Sequence, residues 1–116
     1  MKKRTRSLAV GRSDILVDTA HAILTEKLCA LLGRSELRDL VDVEALVRSG
    51  EDLSSAIADA PRRDSGFSPL TLAWVLRDWD VRSMALSAEL SDADAEVLEH
   101  FRESLIDRLI TPEPTV

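Results

Sequence analysis

Three charged side chains on two neighbouring segments have the types and spacing needed to act on a phosphate group. Lys27 stands among leucines, and Asp39 and Asp42 follow it after Gly33. Because residues three apart on a helix share a face, both carboxylates would project from the same side. A lysine there can bind a phosphate, and the acids can orient the lysine, hold a divalent ion or accept a proton. The structural alternative is that Lys27 extends to water and the acids lie on a solvated face beside Arg38.

Two further pairs of carboxylates are interpreted differently. Nucleotidyl transfer uses two carboxylates on a strand to hold metal ions against a triphosphate. The triplets Asp78-Trp79-Asp80 and Asp92-Ala93-Asp94 have the right spacing but lie at predicted helix ends. We therefore predict capping and turn roles for them. A single cysteine, Cys29, and two histidines, His21 and His100, give no ligand set for a metal, so no metal site is predicted.

Apolar periodicity predicts the elements that position these groups. From Ala20 onward apolar residues recur every three or four positions, with a glycine or a capping residue between the segments. Ile15–Thr19 is a short β-branched run that predicts one strand. The fold class is therefore all-α, a bundle of five or six helices with one short N-terminal strand. Trp74 and Phe101 are the largest side chains on the apolar stripes, and both are expected to be mostly buried.

Length and charge set the domain organisation. The 116 residues suffice for one domain, and their net charge is −6. Residues 1–12 carry +5 and the remainder −11, so we predict a basic, disordered arm over 1–13, a helical domain over 14–110 and a tail over 111–116. Weak RNA contact is expected through the arm only. No apolar run predicts a membrane span or a signal peptide, and a cytoplasmic location is expected.

One stretch of the chain resembles a known family. Residues 18–43 read DTAHAILTEKLCALLGRSELRDLVDV. They resemble the AbiEii/AbiGii nucleotidyltransferase toxin family, in which a helix with the pattern I-L-x-x-K-L-x-A-L precedes R-D-x-x-D-L on the next helix. The stretch from Ser68 to Leu76 is similar to such proteins as well. The resemblance extends over residues 14–110, the helical C-terminal part of the family.

The resemblance implies roles for the three charged residues. Family members are toxin components of bacterial toxin–antitoxin systems, and some transfer nucleotides onto tRNA ends. Lys27 matches the family lysine, expected near the nucleotide phosphates and so both catalytic and cofactor-binding. Either Asp39 or Asp42 matches the later catalytic or supporting acid, and the choice between them stays open.

The family's other half is not found in this sequence. That half begins with a glycine/serine loop followed by an Asp-x-Asp on a strand, and the predicted strand at residues 15–19 resembles the last strand of its sheet. The resemblance thus implies a truncated gene product, a split-enzyme subunit or a reduced protein with another role, and a chain that is inactive alone. Magnesium and a nucleoside triphosphate would bind only once the missing half is supplied, and this chain alone is expected to hold neither.

Several partners and a second function fit the same sequence. The resemblance implies an antitoxin or a complementary nucleotidyltransferase subunit as partner, and the predicted strand edge suggests a homodimer. The alternative to a toxin-like enzyme is a non-catalytic helical module that binds a protein partner.

Overall fold

The computed structural model describes residues 12–111, with side chains from residue 19 onward. This part of the chain is all-helical, as predicted from the apolar periodicity. Its six helices are α1 (Arg12–Arg34), α2 (Leu37–Arg48), α3 (Leu53–Arg63), α4 (Pro69–Arg77), α5 (Val81–Ser87) and α6 (Asp92–Ile110).

The first three helices form one half of the bundle. α1 packs extensively against both α2 and α3. Its inner face is a row of fully buried leucines, Leu24, Leu28 and Leu31, spaced at the helical period. Polar contacts join α1 to α3 at the edge of this core: the ring nitrogen Nε2 of His21 lies 2.7 Å from Asp59 Oδ2. α1 is thus the central helix of this half.

The second half is arranged around α6, which packs against α4 and α5. Arg102 on α6 donates through Nη1 to the carbonyl oxygens of Leu76, at 3.2 Å, and Trp79, at 2.8 Å. A guanidinium at the end of a helix satisfies carbonyls that have no partner within the helix. Contacts of α2 with α6 and of α1 with α4 join the two halves into one core.

Residues 15–19 correct one prediction. They lie in the first turns of α1 rather than in a strand, and the described residues contain no strand. The β-branched run is directly continuous with the helical pattern that starts at Ala20. A short run has only weak intrinsic strand preference, and α1 extends through it. The described residues therefore contain no strand edge, and the homodimer based on it stays a prediction.

Side-chain caps explain where the later helices begin. Asp52, Ser68, Asp80 and Ser91 each accept a hydrogen bond from the backbone N–H three residues on. The Asp-x-Asp triplets lie at helix ends, as predicted: Asp80 caps α5, and the other triplet forms the first turn of α6, which Ser91 caps.

The end of α3 and the burial of one tryptophan differ from the sequence-based expectation. α3 continues through the exposed Pro61 to Arg63, where composition predicts a loop from residue 60. Trp74 is 72% exposed, so the prediction that it is mostly buried is wrong. The core side of α4 is formed by Leu72, Ala73 and Leu76. Phe101 is partly buried and packs against the core.

The predicted terminal segments fall mostly outside the described residues. Of the arm predicted for residues 1–13, only the last two residues are described, and they begin α1. Of the tail predicted for residues 111–116, only Thr111 is described. No helix within residues 12–111 is both long and apolar enough to cross a bilayer.

Candidate functional site

The turn between α1 and α2 brings the charged residues predicted from the sequence together. α1 ends at Arg34, and Ser35 adopts a left-handed backbone conformation with φ of 56°. Glu36 is the extended residue before α2. The chain therefore doubles back within two residues, and the side of α2 that carries Asp39 and Asp42 lies against α1.

Lys27 is held between both carboxylates. Its Nζ lies 2.9 Å from Asp42 Oδ2 and 3.5 Å from Asp39 Oδ1. The hydrogen bond to Asp42 raises the pKa of Lys27 above its ordinary value, and the charge of Asp39 adds to the effect. The lysine therefore remains a cation at neutral pH. With 29% of its side chain exposed, it is also open to a ligand in solution.

Asp39 is fully buried and depends on a residue that the sequence analysis did not single out. Arg34 donates from Nη2 to Asp39 Oδ1 at 2.8 Å, and this is the oxygen closer to Lys27. The second oxygen, Oδ2, is buried and accepts no hydrogen bond from the described residues. Burying a carboxylate is costly unless cations and donors surround it, so Arg34 and Lys27 together keep Asp39 in place.

Asp42 occupies the open side of the cluster. Its side chain is 45% exposed, against 0% for Asp39. Lys27 and Asp42 border a shallow depression of about 330 Å³ whose other walls are Ile23, Ala45 and Leu46. Two cations and two anions make the cluster formally neutral. An anionic group that bound Lys27 from this side would compete with Asp42 for it.

Comparison with known proteins decides the family. A sequence profile described as "Nucleotidyl transferase AbiEii toxin, Type IV TA system" matches residues 6–112. The chain belongs to the AbiEii family. No curated protein and no solved structure matches the chain.

The AbiEii chain holds Cys29 and His21 in structural contacts. The Cys29 thiol points to the carbonyl oxygen of Ala60, with Sγ 3.7 Å away, and burial raises the pKa of this thiol. His21 is paired with Asp59 between α1 and α3. Neither contact joins the Lys27 cluster.

Arg34 is the member of the cluster that sequence reasoning missed. The structural alternative names Arg38 as the partner of the two aspartates, but Arg38 pairs with Glu36, whose Oε1 lies 3.1 Å from Arg38 Nε. Arg34 lies seven residues after Lys27, two helical turns along α1, so both can face the same helix. This spacing is the signal that could have identified it.

Proposed function

We propose that this chain is the helical part of a nucleotidyltransferase toxin of a toxin–antitoxin system, and that Lys27 binds the nucleotide phosphates. The observation that carries the proposal is the position of Lys27 Nζ, 2.9 Å from Asp42 and 3.5 Å from Asp39 on a partly exposed surface. Family membership supplies the reaction class. A lysine ammonium suits phosphate as a compact positive charge.

The two acids have different roles in this proposal. Asp39, which is buried and forms an ion pair with Arg34, fixes the position of Lys27 from the buried side of the cluster. Asp42 holds the lysine only until a phosphate arrives. Because Asp42 is half-exposed, water can solvate its carboxylate once Lys27 turns away. Asp42 is then free to orient or accept a proton from the attacking group, so we assign it, rather than Asp39, as the catalytic acid/base.

Metal binding is assigned to a different part of the enzyme. Among the side chains that the structure describes, from residue 19 to residue 111, no three carboxylate, histidine or cysteine groups come together as metal ligands. Both Asp39 Oδ1 and Asp42 Oδ2 already contact a cation of the protein. The residues of this cluster therefore do not fit a magnesium ion.

The proposal includes the expectation that this chain alone does not transfer nucleotides. The sequence carries neither the glycine/serine loop nor the strand Asp-x-Asp that the family resemblance associates with the metal-binding half. We propose that these elements are supplied from outside the 116 residues, that an antitoxin is a partner, and that the assembled enzyme acts on tRNA in the cytoplasm. Nucleotidyl transfer without positioned metal carboxylates loses much of its transition-state stabilisation.

The test is incubation of the purified chain with labelled nucleoside triphosphates, magnesium and total tRNA. We expect no label in the RNA from the chain alone. We expect label when a polypeptide with the glycine/serine loop and strand Asp-x-Asp is added, and loss of that label with Lys27→Ala. Arg82→Ala is the matched control, because Arg82 pairs with Glu99 outside the cluster. Reconstituted transfer that Lys27→Ala leaves unchanged would contradict the assigned role.

A further inference from the structure

Trp74 is the most exposed large apolar side chain among the described residues. It is 72% exposed, and Leu70, one helical turn earlier on the same face of α4, is 60% exposed. Tryptophan is expensive to leave in water and is enriched at the energetic centres of protein interfaces. The exposed face of α4 therefore has the composition of a contact surface.

An apolar groove lies beside this face. It encloses about 490 Å³ between α3, the start of α4 and the end of α6, with walls that include Ile57, Pro69, Leu109 and Ile110. Leu70 lines the groove and also borders the depression around Trp74. The groove and the exposed face of α4 are therefore one continuous strip.

The strip carries opposite charges at its two ends. Asp78, exposed at the C-terminal end of α4, borders the depression around Trp74. It forms no ion pair with the described residues. Arg108 lines the groove but not the depression around Trp74, and it donates to the hydroxyl of Ser54. Along the strip the order is acid, tryptophan, leucine, groove and arginine.

We propose that this strip is the interface of a two-fold symmetric dimer of the chain. A two-fold rotation that sets α4 antiparallel to its copy reverses the strip. Each Trp74 then enters the partner's groove, of which the partner's Leu70 is one wall, and each Asp78 faces the partner's Arg108. A strip with an acid at one end, a base at the other, and a knob beside a groove is complementary to itself. This self-complementarity identifies a second copy as the occupant, independently of any nucleotide chemistry.

The association test is sedimentation velocity of the chain from micromolar to near-millimolar concentration. We expect a monomer–dimer equilibrium, and a dimer about thirtyfold weaker for Trp74→Ala, the effect of removing an interface hot spot. Circular dichroism of the variant should be unchanged, because Trp74 is exposed. Leu86→Ala is the matched control: Leu86 is 47% exposed on α5 and outside the strip, so its dimer should be as strong as the wild type.

A charge-exchange experiment tests the two-fold geometry. Asp78→Arg and Arg108→Glu should each weaken self-association, because each places like charges opposite one another. An equimolar mixture of the two variants should form a heterodimer, since both contacts then join opposite charges. Three results would overturn the proposal. The first is a wild-type chain that is monomeric at every concentration, which would mean that another segment or partner covers the strip. The others are a dimer that Trp74→Ala leaves unchanged and a mixture of the two charge variants that stays monomeric.

Discussion

Asp39 and Asp42 lie three residues apart on α2 and meet very different surroundings. Asp39 is fully buried beside Arg34, whereas Asp42 is half-exposed. Because they share Lys27, one ammonium group joins a buried and an exposed carboxylate. In the proposed function, this asymmetry is the reason that Asp39 holds the lysine while Asp42 exchanges it with a ligand.

We predict that the two acids contribute very differently to stability. Asp39→Ala removes a charge-assisted hydrogen bond to Arg34 and should lower the free energy of unfolding by about 1–3 kcal/mol. Arg34 and Lys27 remain partly solvated in this variant, which keeps the cost below that of a fully buried pair. Asp42→Ala should cost much less, because its pair with Lys27 is exposed. Urea denaturation of both variants measures the difference, and equal losses would contradict the assignment of Asp39 as the anchor.

The pair with Lys27 should also give a specific dependence on pH. The pKa of Lys27 is raised in the folded state, chiefly by its hydrogen bond to Asp42. Its stabilising contribution is therefore fully present below the ordinary lysine value of 10.5 and is lost as pH rises through the raised pKa. The difference in Tm between wild type and Lys27→Met should be constant from neutral to mildly alkaline pH and shrink above it. A difference that grows at alkaline pH would contradict this.

Sequence reasoning reached three of the four charged residues in the cluster. Helical spacing and the family pattern predicted Lys27, Asp39 and Asp42, because each of these two signals depends only on residues that are close together in the sequence. Arg34 was not predicted as a member of the cluster, because its contact with Asp39 depends on the path of the chain at Ser35. The burial of Asp39 was not predicted for a related reason. Helical spacing puts both acids on one face but does not say how deeply each one is buried.

At the scale of elements, the turn between α1 and α2 is the feature that forms the cluster. Ser35, not Gly33, adopts the left-handed conformation there, with φ of 56°. This conformation is unfavourable for a residue with a Cβ, so Ser35→Gly should stabilise the fold by about 0.5–1 kcal/mol. The serine hydroxyl makes only a long, 3.4 Å contact with the carbonyl of Leu31, which is a small loss. Thermal unfolding measures the change, and a lowered Tm would contradict it.

The two faces of α4 give a second prediction. Leu76 is fully buried, and Leu76→Ala should cost about 2–5 kcal/mol through lost burial and the cavity left behind. Trp74→Ala removes a larger side chain from the exposed face, and below the dimer concentration it should change stability by no more than about 0.5 kcal/mol. Chemical denaturation at low protein concentration compares them. A Trp74→Ala variant as unstable as Leu76→Ala would contradict the orientation of α4.

The elements show where sequence patterns stop being informative. Periodicity and caps predicted the all-helical class and most helix starts. The β-branched run at residues 15–19 predicted a strand because β-branched residues favour strands. In the structure these residues continue the helical segment that follows them. Size and position on the apolar stripe predict that Trp74 lies in the core. Neither property says which side of a short helix faces its neighbours, and Trp74 is exposed.

At the scale of the whole molecule, charge distribution affects what the chain can bind. Residues 1–12 carry +5 and the remaining residues carry −11. An acidic body repels a nucleotide or tRNA over most of its surface, and its repulsion is weakened by salt. Under the proposed function, a phosphate ligand has two candidate binding sites: the basic arm, where binding would be non-specific, and Lys27 in its neutral cluster.

The lysine side chains distinguish binding at these two sites, and their NMR signals give the most direct measurement of the central claim. The chain has three lysines, Lys2, Lys3 and Lys27, and NMR of isotope-labelled lysine side chains observes each one during titration with a nucleoside triphosphate. Lys27→Met assigns the signal, and Asp42→Asn should tighten binding by removing the competing carboxylate. The account predicts a saturable shift of the Lys27 signal that persists at moderate salt. Shifts confined to Lys2 and Lys3, with Lys27 unchanged at saturating nucleotide, would contradict it.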